Sequence, residues 1–524
     1  MFMKNQRGLL PRKIKGFRDI DANLNALRWS IIEKASKVYK SYGFEHWDTP
    51  VVEYAECLGK YMPDEDTVDK GIYSFKNPEI EPVYQANGRE VRDATNKVVM
   101  ENPYLSLRYD LTAPLSRMYA ERLWTKSGNF QGKPPLFRRY QFGPVFRYET
   151  KLDPGRFRQF WQLDFDSVGT NDVSADAEVC MILSDALQAI GLQQSDFKIR
   201  VNNRKILKGF LHSQGIEKAQ EEQAILRVID KLDKIGLAGV EQELGKGRKD
   251  ASGAFIDGLG LDITLINQFL SFFEVFSKQE LNREQVIEAL GSKIGTNEVS
   301  KEGLEELTRI NQILGQTGLS DESVCFDPTL VRGMAYYTGP IFEVESTQTY
   351  KDEKGRERRV GSICGGGRYD GLVKQLLGIT APATGASIGV DRLAELLTLT
   401  GRNSTLIDGP VIVTVLDAAL MPEYQKIARS LRTAGIETEV YYGPNQGFKK
   451  LNKQLGYADD RNCTTAIILG SDELDKGVVT VRDLKLGKAI ADEVTDKKEW
   501  RARVQHEVPS TDLVAFIGKL LEQK

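Results

Sequence analysis

The sequence is poor in the residues that most often bind metals or act as nucleophiles. It contains three histidines, at positions 46, 212 and 506, and none lies near another histidine or a cysteine. A histidine-based metal site or a Ser-His-Asp triad is therefore not indicated. The five cysteines are scattered without close pairs, which argues against a disulfide framework or a zinc site. Such cysteine usage is typical of a reducing cytosol, and we expect a cytoplasmic location and no protein metal site.

Long apolar runs and a strong excess of one charge are also missing. No apolar stretch approaches the roughly 20 residues that span a bilayer, and the basic N-terminus lacks the apolar core of a secretory signal. We therefore expect no membrane partner. The formal net charge is −3, so any contact with nucleic acid must come from local basic patches.

Length and periodicity predict several domains. The chain has 524 residues, of which 41% are hydrophobic, enough for roughly two to four globular domains. Apolar residues at helical spacing predict helices over 20–42 and 173–190, and a mostly helical block follows. After a turn-rich linker, alternating strands and helices predict a parallel sheet covered by helices. The predicted parts are 1–205, 206–324, 325–400, 401–409 and 410–524.

A period of two in the segment 156–166 predicts a strand with one polar and one apolar face. The polar face would carry Arg156, Arg158, Phe160, Gln162, Asp164 and Asp166, and the apolar face Phe157, Gln159, Trp161, Leu163 and Phe165. Cations at one end of a polar face and carboxylates at the other suit a zwitterionic substrate bound beside phosphates. The alternative interpretation of this segment alone is a half-exposed antiparallel strand with a solvated face.

Two further segments place charged and hydroxyl residues close together. Asp110 and Thr112 stand side by side before Pro114, which is typical of a helix cap as well as of a ligand site. Arg147 and Glu149 share one face of a strand by their spacing. Arginine makes bidentate contacts with phosphate, and glutamate accepts hydrogen bonds from an exocyclic amine.

Three glycine-containing segments follow in the third predicted part. The segment 329–344, TLVRGMAYYTGPIFEV, carries Arg332 and two adjacent tyrosines, which in strands usually serve packing. The segment 365–371, GGGRYDG, matches neither dinucleotide nor P-loop signatures, so its glycines indicate tight turns or close backbone approach. In the segment 385–393, GASIGVDRL, small residues precede a predicted helix. Arg392 in that helix is a candidate for a second phosphate contact.

In this order, the segments resemble those of the class II aminoacyl-tRNA synthetases, and within that class the histidyl-tRNA synthetase family. FRYE at 146–149 resembles motif 2, GASIGVDRL resembles motif 3, and the helix and strand over 20–54 resemble the dimer-forming motif 1. LVRGMAYYTG and GGGRYDGLV resemble two peptides peculiar to the histidine enzymes, and 410–490 resembles an anticodon-binding domain. The resemblance implies an α+β fold, with a six- or seven-stranded antiparallel sheet flanked by helices, a helical insertion, a C-terminal α/β domain and a homodimer.

The resemblance also implies an activity and a set of site residues. Histidine would react with ATP, accompanied by Mg²⁺, to give histidyl-adenylate, and the histidyl group would pass to the 3′ end of histidine tRNA. Arg147 and Arg332 would be catalytic, on opposite sides of the α-phosphate, and ATP would be bound by Arg147, Glu149 and Arg392. The residues expected to bind histidine are Asp110, Leu111, Thr112, Arg147, Gln162, Asp166, Arg332, Tyr336 and Tyr337.

Some features depart from the family pattern or leave an alternative open. Many histidyl enzymes have aspartate where this chain has Ala335, and the segment TKLDPG at 150–155 is less basic than is common. A histidine-sensing regulatory subunit of ATP phosphoribosyltransferase resembles the same core but lacks the last domain. For RNA contact, the candidates are Lys449, Lys450 and Lys453, and, less favoured, Arg12, Lys13 and Lys15.

Overall fold

The structure is a computed structural model with two compact units, Met1–Asn403 and Ser404–Lys524. The residues it describes are 11–57, 71–79, 81–82, 90–93, 95–101, 104–127, 132–149, 152, 155–250, 253–277, 281–294, 297–331, 336–352, 354–402, 408–491, 493–494 and 496–522. Strands and helices are numbered in chain order. Within these ranges, no helix combines the length and the apolar character needed to cross a membrane.

The first unit is built on an eight-stranded sheet. From one edge to the other its strands are β1 (Glu45–His46), β7 (Phe137–Phe146), β8 (Gln159–Val168), β17 (Ala383–Gly389), β16 (Ser362–Arg368), β13 (Pro340–Ser346), β9 (Phe197–Asn203) and β12 (Val324–Phe326). The six central strands are mutually antiparallel, whereas both edge strands pair in parallel. The antiparallel sheet predicted from the sequence is confirmed. The predicted number of strands, six or seven, was too low, because the sheet has eight.

Short strands and several helices lie around this sheet in the described part of the first unit. The short strands are β2 (Val52–Tyr54), β3 (Ser74–Lys76), β4 (Glu81–Pro82), β5 (Met100–Glu101), β6 (Tyr104–Leu107), β14 (Thr349–Lys351) and β15 (Glu357–Arg359). The helices are α1 (Ala22–Ser41), α2 (Thr112–Ser127), α3 (Ser174–Ile190), α10 (Leu372–Leu377) and α11 (Val390–Leu399). The strand predicted around Pro50 is divided into β1 and β2, because proline has no N–H for a sheet hydrogen bond.

Helices α1 and α3 cover the apolar face of the sheet. The carboxylate of Asp21 accepts a hydrogen bond from the N–H of Leu24 at 2.8 Å and begins α1. The buried stripe of α1, including Leu27 and Ile31, packs in one core with Leu163 and Phe165 of β8. The alternation predicted for β8 is therefore confirmed from Gln159 onward, and its opposite face is left free to form a polar site.

A mostly helical segment lies between β9 and β12 in the chain. It contains α4 (Arg204–Ser213), α5 (Ala219–Ile229), α6 (Leu232–Leu244), α7 (Ile263–Ser277), α8 (Arg283–Lys293) and α9 (Glu298–Gln316), with a hairpin of β10 (Gly247–Lys249) and β11 (Phe255–Asp257). Aromatic packing joins α4 to α7, since the ring of Phe210 lies 5.5 Å from that of Phe269 and 4.7 Å from that of Phe272. The helical character predicted for this segment is observed.

The second unit has its own five-stranded sheet and its own core. Its strands, in sheet order, are β19 (Thr438–Val440), β18 (Val411–Val413), β20 (Thr465–Ile468), β21 (Val478–Asp483) and β22 (Gln505–Pro509). Its helices are α12 (Met421–Thr433), α13 (Leu451–Asp460), α14 (Ser471–Asp475), α15 (Leu484–Ala489), α16 (Lys497–Val504) and α17 (Leu513–Glu522). The three strands predicted from the sequence pair in parallel, but β21 and β22 extend the sheet in antiparallel orientation. The prediction of a fully parallel sheet was therefore wrong.

One buried carboxylate joins four parts of the first unit. Oδ1 of Asp391, at the start of α11, accepts hydrogen bonds from Arg18 at 2.8 Å and from Arg28 of α1 at 2.7 Å. Oδ2 accepts from the backbone N–H of Trp161 in β8 at 2.6 Å. Because Asp391 is only 2% exposed, each of these partners offsets the cost of burying its charge.

We predict that Arg28→Met destabilises the protein by about 3 kcal/mol, because it leaves Asp391 with one cation fewer in a buried site. The free energy of unfolding in urea measures this. The control is Lys37→Met, which breaks the exposed pair between Lys37 and Glu33 on the same helix and should cost less than about 0.5 kcal/mol. Equal losses in the two variants would contradict the role given to Asp391.

Candidate active site

A cavity of about 300 Å³ opens over the polar face of β8, β16 and β17. Eight of the eleven residues expected to bind histidine or ATP line it together: Asp110, Thr112, Arg147, Glu149, Gln162, Tyr336, Tyr337 and Arg392. They come from five separate segments of the chain. The fold therefore brings most of the predicted site residues to one place.

Glycines provide the space for this cavity. Gly365 of β16 and Gly389 of β17 line it directly. A Cβ atom at Gly385 would lie 2.4 Å from Oδ1 of Asp166, and one at Gly367 would lie 2.8 Å from the ring of Tyr337. A Cβ atom at Gly366 would lie 2.4 Å from the backbone oxygen of Gly385 in the next strand. The three consecutive glycines are thus explained by the cavity at Gly365, the neighbouring backbone at Gly366 and the Tyr337 ring at Gly367, rather than by a phosphate-binding loop.

Asp110 has two tasks at one end of the cavity. Its Oδ1 accepts hydrogen bonds from the backbone N–H groups of Thr112 at 3.2 Å and Ala113 at 3.0 Å, where α2 begins. Its Oδ2 accepts from the hydroxyl of Tyr336 at 3.1 Å. The two interpretations of this segment, helix cap and site residue, are therefore both compatible with the structure.

Two hydrogen-bond acceptors on β8 face the same end. Nε2 of Gln162 donates to Oγ of Ser387 at 2.9 Å, which turns Oε1 of Gln162 away from that partner. Oε1 of Gln162 and Oδ1 of Asp164 are buried, and neither has a hydrogen-bond partner among the described residues. Buried acceptors of this kind favour a ligand that brings N–H donors.

Asp166 lies behind the cavity rather than on its surface. Its Oδ1 accepts a hydrogen bond from the hydroxyl of Tyr369 at 2.6 Å, and its Oδ2 lies 3.3 Å from Arg139. Arg139 also donates to the backbone oxygen of Leu111 at 2.7 Å. Leu111 is itself fully buried, so Asp166 and Leu111 support the residues that line the cavity.

Two carboxylates and one tyrosine at this end, Asp164, Asp166 and Tyr337, have shifted pKa values. Burial, followed by the nearby Asp166, raises the pKa of Asp164 to about 7. Burial also raises the pKa of Asp166, although the neighbouring Arg139 opposes this. The pKa of Tyr337 is raised by burial and then by the carboxylates around it. This end therefore has an excess of negative charge that its surroundings disfavour.

The other end of the cavity is cationic. Nε of Arg147 donates to the backbone oxygen of Tyr109 at 3.1 Å, and its guanidinium lies 4.4 Å from the centre of the Tyr109 ring. Nη1 of Arg392 donates to the backbone oxygen of Ser362 at 2.7 Å. Burial, then the charges of Arg156 and Arg147, lower the pKa of Arg392. Guanidinium groups that converge in this way, and that lower the pKa of Arg392, favour an anionic ligand.

The structure corrects one part of the strand prediction. Strand β8 begins at Gln159, so Arg156 and Arg158 precede it and do not continue its polar face. Arg156 lines the cavity, with Nη1 3.8 Å from the carboxylate of Glu149. Arg158 is buried and donates to the backbone oxygens of Glu149 at 3.0 Å and Lys15 at 3.3 Å. Arg158 therefore holds the backbone together at this point.

Two predicted features lie outside the described residues. Arg332 and Ala335 fall in the segment 332–335, and most of the segment 150–155 is likewise not described. Conversely, Ser387, Arg139 and Tyr369 had been given no part in the site. Arg139 and Ser387 stand opposite Asp166 and Asp164 in neighbouring strands, and the register that brings them there is not visible in either strand alone.

Comparisons with known proteins agree with one another along nearly the whole chain. A family model described as histidyl-tRNA synthetase matches residues 76–393, and a model described as anticodon binding domain matches residues 410–519. Proteins named histidine–tRNA ligase from Ruegeria sp. (strain TM1040) and from Paracoccus denitrificans (strain Pd 1222) are each 43% identical to this chain. The alignments cover 97% of this chain and, respectively, 95% and 97% of those proteins.

Solved structures give the same result. The crystal structure of histidyl-tRNA synthetase from Nostoc sp. PCC 7120 matches with a TM-score of 0.67 and 27% identity, over 98% of this chain and 100% of that one. An ATP phosphoribosyltransferase regulatory subunit/histidyl-tRNA synthetase from Bacillus halodurans matches with a TM-score of 0.59, over 87% of this chain and 97% of that one. At 21% identity, this second match shows a shared fold alone. By family model and by full-length relatives, this chain belongs to the histidyl-tRNA synthetase family.

Proposed function

We propose that this chain is a histidine–tRNA ligase, a class II aminoacyl-tRNA synthetase. It activates L-histidine with ATP to histidyl-adenylate and transfers the histidyl group to the 3′ end of histidine tRNA. The observation that carries this proposal is the polarity of the cavity, which has arginines at one end and unpartnered acceptors at the other. Such a cavity suits the triphosphate of one substrate and the ammonium group of the other.

The reaction needs no nucleophile from the protein. The carboxylate of histidine attacks the α-phosphorus, the bond to the β-phosphate oxygen breaks, and pyrophosphate leaves. A ribose hydroxyl of the tRNA then attacks the acyl carbon, and AMP leaves. The site contributes by positioning the reactants and by stabilising the charge that develops on the phosphate. Mg²⁺ would enter with ATP as part of that substrate.

Roles for the cationic end follow from its geometry and from the family resemblance. Arg147, held by the Tyr109 backbone, would contact the α-phosphate, and Arg392 would contact the γ-phosphate. Glu149, at the same end, would accept a hydrogen bond from the adenine amine. Arg332 would approach the α-phosphate from the opposite side. Arg147 and Arg332 are the residues that we propose as catalytic.

Roles for the acidic end concern histidine itself. Asp110, Thr112 and Gln162 would bind the ammonium group, which can donate three hydrogen bonds. Tyr337, with Tyr336 beside it, would contact the imidazole. Leu111 and Asp166 would complete this subsite from behind. A site that holds polar groups for an imidazole leaves them unsatisfied when an apolar amino acid enters, which gives selectivity.

The second unit is the proposed RNA-binding part. Lys449, Lys450 and Lys453 are all exposed, and two exposed aromatic side chains lie close in sequence, Phe448 at 75% and Tyr442 at 67% exposure. Lysines beside exposed rings are typical of surfaces that bind single-stranded RNA, because bases stack on aromatic rings. Arg12, Lys13 and Lys15, in the N-terminal segment, remain the less favoured candidates.

We also propose a homodimer, a cytoplasmic location and the five-part division of the chain at 205, 324, 400 and 409. A dimer is supported by an exposed aromatic cluster on α1 and at the β1 edge of the sheet. Trp29 is 46% exposed, and its ring lies 5.8 Å from that of Phe142 and 5.6 Å from that of Trp161. His46 stacks on Phe142 at 4.9 Å. A second copy of the chain covering this cluster would remove it from water.

The alternative is a histidine-sensing regulatory subunit without ligase activity. It is less well supported, because the chain retains Arg147 and Arg392 in the cavity and because its second unit matches an anticodon-binding domain. A sensor needs neither a triphosphate subsite nor an RNA-binding unit. Measuring the activation reaction directly distinguishes the two.

We predict that ATP–pyrophosphate exchange, run with each of the twenty amino acids separately, occurs with histidine alone. Exchange with a different amino acid would contradict the roles given to the acidic end. Absence of exchange, with histidine still binding by calorimetry, would favour the sensor. Exchange without tRNA charging would show that the enzyme activates histidine and that the defect lies in the binding of tRNA.

We predict that Gly365→Ala lowers kcat/KM for histidine-dependent exchange at least tenfold without loss of thermal stability. A Cβ atom there would meet only the Phe342 backbone oxygen, at 4.0 Å, and would otherwise enter the cavity. The control is Gly371→Ala in the same peptide, where a Cβ atom meets nothing within 4 Å and exchange should be unchanged. A Gly365→Ala enzyme with normal exchange would show that substrates bind elsewhere.

We predict that Phe448→Ala lowers kcat/KM for histidine tRNA by about tenfold, since loss of one stacked base costs roughly 1–3 kcal/mol. ATP–pyrophosphate exchange should stay within twofold of the wild type, because it needs no tRNA. Leu486→Ala, which truncates another exposed apolar side chain of this unit at 39% exposure, serves as the control. Equal charging by both variants would exclude Phe448 from the RNA contact.

A further inference from the structure

We propose that Asp164 is a further substrate-contacting residue, whose carboxylate accepts a hydrogen bond from an N–H group of the bound amino acid. The inference rests on the proposed function and deepens it. It concerns a residue that neither the family motifs nor the roles above had assigned. Four observations support it. They are the position of Asp164 in the cavity, the lack of a hydrogen-bond partner for its Oδ1, the charges around it, and its contrast with other buried carboxylates.

The position of Asp164 is central in the acidic end. On β8 it lies between Gln162 and Asp166 and points to the same face, because side chains alternate along a strand. In the neighbouring strands it stands opposite Gln141 and Ser387. Asp164 lines the cavity, whereas Asp166 does not. Of these two aspartates, Asp164 is therefore the one that a ligand in the cavity can reach.

The hydrogen bonds of Asp164 are incomplete in the protein alone. The residue is 3% exposed, and its Oδ1 has no hydrogen-bond partner among the described residues. The hydroxyl of Ser387 interacts with the carboxylate and favours its charged form. A buried carboxylate oxygen without a partner carries a desolvation cost that a donor from the ligand would offset.

The charge of Asp164 is only partly compensated. The ionisable groups that face it are the carboxylates of Asp110 and Asp166, the phenols of Tyr39 and Tyr337, and the guanidinium groups of Arg108 and Arg139. The hydrogen bonds of Arg108 go to the backbone oxygens of Pro144 and Thr49, so three carboxylates share two guanidinium groups that are engaged elsewhere. Arg139 lies against Asp166, at 3.3 Å, and no ion pair involves Asp164 in the described part of the chain. An ammonium group or an imidazole N–H of the ligand would supply a positively charged or polar donor for this carboxylate.

Other buried carboxylates of this unit show what a purely structural one looks like. Oδ1 of Asp176 accepts from the hydroxyl of Thr384 at 2.7 Å, and its Oδ2 accepts from Nε of Arg368 at 3.0 Å. Asp391 likewise has partners on both oxygens. Asp164 differs from both in having an oxygen that faces a cavity and has no partner.

The test is Asp164→Asn, which keeps the shape of the side chain but replaces the acceptor charge by a neutral amide. We expect KM for histidine in ATP–pyrophosphate exchange to rise at least tenfold, with KM for ATP within twofold of the wild type. The control is Asp176→Asn, which should lower the thermal midpoint and leave KM for histidine unchanged. If Asp164→Asn does not fold, Asp164→Ser removes the carboxylate with less volume and serves the same test.

A pH series of thermal unfolding separates contact from structural support. Because the pKa of Asp164 is raised from 3.8 to about 7, the folded state disfavours its charged form. The wild type should therefore lose stability, relative to Asp164→Asn, as the pH rises from 4 through 7. The variant should thus be at least as stable as the wild type at pH 8, although it binds histidine less well. A lower midpoint at pH 8, with KM unchanged, would overturn the proposal.

Two analogues distinguish the donor. Histamine keeps the ring and the ammonium group, whereas imidazole-4-propionate keeps the ring and lacks the ammonium group. If the ammonium group is the donor, Asp164→Asn weakens competitive inhibition of exchange by histamine alone. If the ring N–H is the donor, the variant weakens inhibition by both analogues. Undiminished inhibition by both, in an enzyme whose wild type is active with histidine, would overturn the contact. An inactive wild type would instead refute the proposed function.

Discussion

The site depends on the buried carboxylate of Asp391 and its three donors. Arg18, Arg28 and the backbone of Trp161 meet on it, so the N-terminal segment, α1 and β8 are held against the first turn of α11. The next residue is Arg392, which faces the cavity. Any change that leaves this carboxylate unpaired would therefore disturb both the packing of α1 and the cationic end of the site, since a buried charge tolerates few alternative arrangements.

Strand β8 meets two opposing requirements. Its apolar residues pack with α1 and α3 in the main core, while its polar face puts Gln162 and Asp164 into the cavity and Asp166 behind it. The polar face is costly without a ligand, because burial disfavours the charged carboxylates. The packing on the other side offsets that cost, and a bound amino acid would supply the missing donors. The same polar side chains of this strand therefore lower the stability of the protein without ligand and raise its affinity for the ligand.

Absent side chains matter as much as present ones in β17, which pairs with β8, and in β16, which pairs with β17. Gly367 leaves room for the ring of Tyr337, Gly385 leaves room for Asp166, and Gly365 leaves the cavity open. The floor of the cavity is therefore formed by the sheet, while residues outside the strands, such as Arg156 and Tyr336, line its sides. Rigid strands are well suited to hold two reactants in a fixed geometry.

The sequence alone determined the features that depend on local periodicity. These were α1, α3, the alternation of β8 and the helical insertion, and they were predictable because neighbouring residues decide a helix stripe or a strand face. The predicted site residues came instead from motifs that resemble those of the histidyl-tRNA synthetase family. Only the tertiary structure decided that Arg139 lies against Asp166, that Ser387 stands opposite Asp164, and that Arg158 turns away from the polar face. The physical reason is that strand register joins segments as distant as Asp164 and Ser387, through contacts that neither segment encodes by itself.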